Sequence, residues 1–112
     1  MSTPTLAWIY LLLAGACEIM ATTLFRYTEG FTRAWPSLIC IAIGVMSFYL
    51  LSRSLVHGVS LGTAYAVWTG IGAAGTALIG IGYYGEPAST MRLACLAMLI
   101  GGIIGLKLFA PA

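Results

Sequence analysis

The chain has 112 residues, of which 61% are hydrophobic and only 7% are charged. A soluble domain carries about 25% charged residues, so this composition excludes an ordinary soluble protein and indicates an integral membrane protein. The formal net charge of +2 is small and scattered, which predicts no nucleic-acid partner. The three cysteines lack metal-ligand spacing and the sequence shows no nucleophile–base pair, so we predict no metal, no cofactor and no enzyme.

Four hydrophobic runs follow one another along the chain. A transmembrane helix needs about 20 apolar residues. The runs that meet this length cover residues 6–25, 36–52, 61–84 and 89–109. Polar or glycine-containing connections separate them, and Ser89 or Thr90 is placed to cap the fourth helix. We predict a single transmembrane domain of four helices spanning residues 1–112.

Glu18 lies inside the first run, where every other side chain is apolar, small or neutral polar. An ionised carboxylate at membrane depth is costly unless it is paired or faces water. The sequence has no aspartate, and Glu29 and Glu86 fall in the connections. We predict that Glu18 binds a proton or a cation in exchange. The alternative is a permanently protonated Glu18 that donates one structural hydrogen bond.

Residues at helical spacing from Glu18 predict a small cavity lined by its own helix. The third run adds Tyr65 and Trp68, which are three residues apart and share a helix face. Aromatic faces attract organic cations, although an aromatic pair at this spacing is also common in ordinary packing. The predicted lining of the substrate site is Gly15, Thr22, Ser47, Tyr65 and Trp68.

Glycines in the last two runs suggest two further roles. Gly70 and Gly72 flank Ile71 and predict a kink in the third helix, because glycine loosens a helix. In the fourth helix, small residues recur at four-residue steps, a pattern of close helix association that is also frequent by chance in glycine-rich spans. The predicted dimer interface there is Gly101, Gly102 and Gly105.

The cationic residues give almost no orientation signal. With four spans, Arg53 and Lys107 lie on one side of the membrane, and Arg26, Arg33 and Arg92 lie on the other. This distribution fits either a weak signal or copies that insert in both directions. Four helices can hardly enclose a substrate path, whereas two copies can, and an antiparallel pair supplies the inverted symmetry found in many transporters.

Three sequence features together resemble the small multidrug resistance family. They are Glu18, the segment 29–33 (EGFTR) followed by 35–37 (WPS), and the segment 62–68 (GTAYAVW). The resemblance covers nearly the whole chain. It implies an all-α, multi-pass protein of the bacterial inner membrane that contacts lipid, forms an antiparallel dual-topology homodimer and exchanges protons for organic cations.

The resemblance also implies roles for individual residues. Glu18 would bind proton and substrate in a mutually exclusive way. The family's aromatic pair, kink glycines and dimer-forming helix fall on Tyr65 and Trp68, on Gly70 and Gly72, and on the segment around Gly102.

Different segments of the sequence give conflicting indications of the substrate. Ala21-Thr22-Thr23 resembles the quaternary-ammonium exporters, whereas segments 68–72, 85–87 and 105–107 resemble the guanidinium exporters, which usually carry a tryptophan at the position of Ala21. Because Ala21 leaves a roomier site, we predict a proton-coupled antiporter of quaternary ammonium or lipophilic cations. The alternatives are a guanidinium exporter of the same family, or a non-autonomous subunit paired with an unlike family member. A cation channel and an assembly partner of another membrane protein are the remaining classes.

Overall fold

A computed structural model describes residues 3–109 of the chain. They form four helices joined by short connections: α1 (Thr3–Thr28), α2 (Ala34–Val56), α3 (Leu61–Tyr83) and α4 (Thr90–Leu108). Each of the four is long and apolar enough to cross a membrane. The predicted all-α class with four membrane-spanning helices is therefore confirmed.

The helices differ from the predicted spans mainly at the ends of the first two. Helix α1 continues past residue 25 to Thr28, and α2 begins at Ala34 and continues past residue 52 to Val56. Hydropathy marks where apolar side chains stop, whereas a helix ends where its backbone hydrogen bonds end, so the two boundaries differ by a few residues. Residues 1–2 and 110–112 of the predicted domain lie outside the described part of the chain.

The connection between α1 and α2 is a tight turn with three residues in the left-handed region of backbone φ/ψ space. Glu29, Gly30 and Phe31 have φ values of 48°, 73° and 65°. The Thr28 hydroxyl stabilises the turn by accepting a hydrogen bond from the Phe31 amide at 3.3 Å. The turn brings the Phe31 ring against Phe25 at a centroid separation of 6.0 Å.

The predicted cap of α4 is confirmed at Ser89. Its Oγ accepts a hydrogen bond from the Arg92 backbone amide at 3.2 Å, which satisfies one of the free N–H groups of the first turn.

Helix α1 packs against both α2 and α3, whereas the backbone of α4 lies next to that of α3, and Lys107 of α4 reaches the Trp8 ring of α1. Contact between α1 and α3 is close because glycines face bulky side chains. Gly15 faces Ile71, and Gly75 faces Ile19. Lipid tails remove the hydrophobic driving force between helices, so close van der Waals contact at small residues takes its place. The described part of α4 has no buried residue.

Replacing Gly15 by alanine is expected to destabilise the α1–α3 contact. The added Cβ would lie 2.6 Å from Cγ2 of Ile71. Overpacking of this kind costs about 1–3 kcal/mol, so the melting temperature in detergent should fall. Gly82→Ala is the matched control in α3, because apart from its chain neighbours and the adjacent backbone of its own helix no described atom lies within 4 Å of its added Cβ. Equal melting temperatures for the two variants would contradict this account of the packing.

Candidate functional site

Glu18 is half-buried on the face of α1 that meets α3. Gly72 provides the room for its side chain, since a Cβ at that position would lie 2.8 Å from Cγ of Glu18. Among the described residues, no hydrogen bond or ion pair reaches the Glu18 carboxylate. The packing therefore fixes the stem of the side chain and leaves its charged end without a protein partner.

The carboxylate borders a groove of about 620 Å³, which we name the α1–α3 groove. Its walls come from α1, α3, the α3–α4 connection and the start of α4. They are formed by Glu18, Thr22, Tyr65, Trp68, Thr69, Gly72, Ala73, Thr76, Ala77, Glu86 and Arg92. The volume is ample for a small organic cation, because ligand pockets are typically about 300–1,000 Å³.

Threonine hydroxyls make one wall of the groove polar. The Oγ1 atoms of Thr22 and Thr76 lie 2.7 Å apart and form a hydrogen bond between α1 and α3. Thr22 also donates to the backbone carbonyl of Glu18 at 2.7 Å, and Thr69 donates to the Tyr65 carbonyl at 2.8 Å. Since each hydroxyl has two acceptor lone pairs, this wall still offers acceptors to a ligand with N–H groups.

The two aromatic residues of the groove differ in their freedom to move. Their ring centroids lie 5.8 Å apart, but Tyr65 is 57% exposed and Trp68 is 8% exposed. The Trp68 indole Nε1–H donates to Ser47 Oγ at 2.9 Å, and Ser47 in turn donates to the Ala14 carbonyl at 2.7 Å. This chain of bonds across α3, α2 and α1 fixes the Trp68 ring, while Tyr65 can adjust.

A second, apolar cavity of about 290 Å³ lies on the opposite side of Glu18, between α1 and α2. We name it the α1–α2 cavity. Besides Glu18, its walls are formed by Ala21, Phe25, Phe31, Cys40, Ile41, Gly44, Val45 and Phe48. Glu18 thus stands between a groove with hydroxyl groups and a cavity lined mainly by hydrocarbon.

Five of the predicted site residues meet in the α1–α3 groove. They are Glu18, Thr22, Tyr65, Trp68 and Gly72, the last of which was predicted as a kink residue. The predicted lining residues Gly15 and Ser47 lie behind the walls: Gly15 is packed against Ile71 and Ser47 supports the Trp68 ring.

The other predicted glycines lie away from the groove. A Cβ at Gly70 would lie 2.9 Å from Cδ1 of Ile103, so Gly70 makes room for α4. Helix α3 is continuous across Gly70 and Gly72, and the kink remains a prediction. Within the described chain, Gly101, Gly102 and Gly105 face open space.

Sequence reasoning missed several wall residues. Thr69 and Thr76 continue the Tyr65 face at helical spacing, so that periodicity is a signal that could have identified them. Helical spacing could not have identified Glu86 and Arg92, because the α3–α4 connection and the start of α4 fold them back onto the groove.

A charged cluster borders the groove where the α3–α4 connection meets the start of α4. Glu86 pairs with Arg92 at 2.7 Å and lies 3.9 Å from Arg26. The Arg26 guanidinium sits over the Tyr84 ring, 3.5 Å from its centroid. A 2.5 Å hydrogen bond to Tyr27 raises the pKa of the Tyr84 phenol, and burial adds to the increase. Arg26 and Tyr84 thus form a cation–π pair beside Glu86.

Comparison with known proteins identifies the family. The sequence profile described as "Small Multidrug Resistance protein" matches residues 6–99. A guanidinium exporter of Proteus vulgaris is 50% identical over 103 residues, covering 92% of this chain and 98% of the relative. Guanidinium exporters of Citrobacter freundii and Escherichia coli (strain K12) are 50% and 48% identical, each covering 92% of this chain and 97% of the relative. The chain belongs to the small multidrug resistance family.

Family membership confirms the predicted class of protein. The chain is a multi-pass membrane transporter that fits the bacterial inner membrane, and it is not an enzyme. Transporters of this family couple the movement of small cations to that of protons. The names of the relatives support the guanidinium alternative better than the quaternary-ammonium prediction.

The support of Trp68 by Ser47 can be tested directly. Ser47→Ala should leave the buried indole N–H without an acceptor and lower the free energy of unfolding by about 1–3 kcal/mol. The indole N–H resonance of Trp68 should shift in NMR spectra, while those of Trp8 and Trp35 should not. Ser52→Ala is the matched control, because Ser52 is exposed on the same helix. Unchanged stability and an unchanged Trp68 resonance in Ser47→Ala would contradict the assigned role.

Proposed function

We propose that the chain is a proton-coupled exporter of guanidinium-type cations, in which Glu18 binds either a proton or the cation. The observation that carries the proposal is the Glu18 carboxylate, which no described residue pairs and which borders the α1–α3 groove. The names of relatives that are 48–50% identical support the choice of substrate class.

The walls of the groove suit the chemistry of guanidinium. This planar cation has N–H groups that a carboxylate accepts in pairs, which is a strong and directional interaction. Thr22, Thr69 and Thr76 offer additional acceptors, and the Tyr65 and Trp68 rings offer faces on which a guanidinium can stack. A quaternary ammonium has no N–H group and would leave the hydroxyls unused.

The coupling of cation transport to protons follows from the single negative charge of the Glu18 carboxylate. A protonated Glu18 is neutral and no longer attracts a cation, whereas a bound cation occupies the carboxylate and excludes the proton. Binding of one ligand therefore releases the other, and a change in the open side of the transporter converts this exchange into transport.

We also propose that the working unit is an antiparallel homodimer. Two observations support a second copy. Gly101, Gly102 and Gly105 of α4 face open space in the described chain, and two aromatic residues beside the site, Phe48 and Tyr65, are 61% and 57% exposed. An antiparallel partner would cover such surfaces and would supply the inverted symmetry needed for alternating access.

A specific observation favours quaternary or lipophilic cations as a second candidate. The α1–α2 cavity offers about 290 Å³ of apolar space directly beside Glu18. Phenylalanine rings line it, and Ala21 contributes only a methyl group to its wall. A bulky cation without N–H groups would bind from this side of the carboxylate.

Substrate-driven proton release from the purified protein in detergent tests the proposal. Guanidinium should release protons from the wild type, and Glu18→Gln should abolish that release. Glu29→Gln is the matched control, because Glu29 is exposed and lies outside both spaces. Release that persists in Glu18→Gln would rule out the mechanism. Release by a quaternary ammonium alone would favour the second candidate, and no release by either cation would indicate an unlike partner subunit.

Ala21→Trp separates the two candidate substrates. The indole should fill much of the α1–α2 cavity and reduce proton release by a quaternary ammonium at least tenfold, which is roughly the effect of 1.4 kcal/mol. Release by guanidinium should stay near the wild-type level, because the α1–α3 groove is unchanged. Met20→Trp is the control, since Met20 is 54% exposed on the same helix. Equal loss for both cations would show that the two spaces do not act separately.

A further inference from the structure

The α1–α3 groove has a second carboxylate, Glu86, which the exchange mechanism does not use. Its Oε1 accepts a hydrogen bond from Nη2 of Arg92 at 2.7 Å. Nη1 of Arg92 also donates to the Pro87 carbonyl at 2.9 Å. The proposed substrate of this groove is a guanidinium-type cation. The Glu86 carboxylate of the groove is thus already paired with a guanidinium group of the chain itself, that of Arg92.

The Glu86 carboxylate is held in a defined position. A Cβ at Gly80 would lie 2.5 Å from the carboxyl carbon, so this glycine leaves the space that the carboxylate occupies. The Glu86 backbone amide donates to the Gly80 carbonyl at 3.0 Å. These contacts place the Glu86 carboxylate at the end of α3, beside Arg92.

A second guanidinium uses the same cluster. Nη2 of Arg26 lies 3.9 Å from the other carboxylate oxygen, and its guanidinium rests over the Tyr84 ring. A carboxylate beside an aromatic face is also the chemistry offered by Glu18 with Tyr65. The groove therefore has two carboxylates, Glu18 and Glu86, with aromatic side chains nearby that suit a cation.

We propose that Glu86 is a second, peripheral binding residue for guanidinium-type cations at the mouth of the α1–α3 groove, and that Arg92 is its displaceable internal ligand. The substrate class in this proposal rests on the proposed function. The side chains of Glu86 and Arg92 are 39% and 34% exposed, and an ion pair with this exposure contributes roughly a two- to fivefold factor to an equilibrium constant. A solute with the same donor geometry can therefore replace Arg92.

Displacement gives the peripheral site a role in transport. A cation that replaces Arg92 on Glu86 is held inside the mouth of the same groove that contains Glu18. It can then pass along the threonine wall to the free carboxylate, and a cation that leaves Glu18 can follow the reverse path. Glu86 would thus raise the local cation concentration, while Glu18 alone performs the proton exchange.

NMR of the full-length protein in detergent tests the displacement. Titration with guanidinium chloride should shift the Arg92 Nε–H resonance to saturation in the wild type and equally in Glu18→Gln. The shift should be lost in Glu86→Gln. Arg33 is the matched control, because its Nε lies 3.8 Å from the exposed carboxylate of Glu29 outside the groove. A similar shift of Arg33, or a similar Arg92 shift with sodium chloride, would mean that surface charges are merely screened and would overturn the proposal.

Uptake kinetics separate direct binding from the effect of net charge. Glu86→Gln should raise KM for guanidinium roughly two- to fivefold, the factor expected for an exposed charge pair, with little change in kcat. The double variant Glu86→Gln/Arg92→Gln restores the net charge of the cluster but lacks the carboxylate. Its KM should remain raised, and a return to the wild-type KM would overturn the proposal.

The two proposals fail in different ways. If guanidinium shifts Arg92 but causes no proton release, the peripheral site stands and the proposed exchange at Glu18 is wrong. If guanidinium causes proton release through Glu18 but leaves the Arg92 resonance unchanged, the exchange stands and the peripheral site is wrong.

Discussion

The structure depends on the placement of one unpaired carboxylate within a membrane-spanning helix. A charged group at that depth is tolerated when a wet cavity or an exchangeable cation balances it. Gly72 holds the stem of Glu18 against α3, and the α1–α3 groove reaches its charged end. A side chain at position 72 would displace Glu18 from this groove, so the packing of one glycine fixes the geometry of the proposed exchange.

Helix α3 combines packing and binding because its small residues point in different directions. Gly70 leaves space for Ile103 of α4, Gly72 leaves space for Glu18, and Gly75 leaves space for Ile19 of α1. In lipid, helices associate through such close contacts. The face between these glycines bears Tyr65 and Thr69, which line the groove. The same helix can therefore hold the bundle together and contribute most of the binding wall.

Local sequence patterns predicted the four helices, Glu18 and the aromatic pair, because hydropathy and helical spacing depend on neighbouring residues. They did not predict the Ser47–Trp68 bond or the Glu86–Arg92 pair, which depend on how separate helices are rotated and on how a connection folds back. The names of the relatives favour the guanidinium alternative over the predicted quaternary-ammonium preference, which rested on Ala21. The extra room at Ala21 belongs to the α1–α2 cavity, on the other side of Glu18 from the threonine hydroxyls.

The choice of substrate then becomes a choice between two sides of one carboxylate. A cation with N–H groups gains hydrogen bonds from Thr22 and Thr76 in the groove, while a bulky cation without them gains apolar contact with Phe25 and Phe48 in the cavity. In the proposed mechanism, both cations would compete with a proton for the Glu18 carboxylate. In this proposal, specificity depends on the volume and polarity of the two spaces, whereas coupling to protons depends on Glu18 alone.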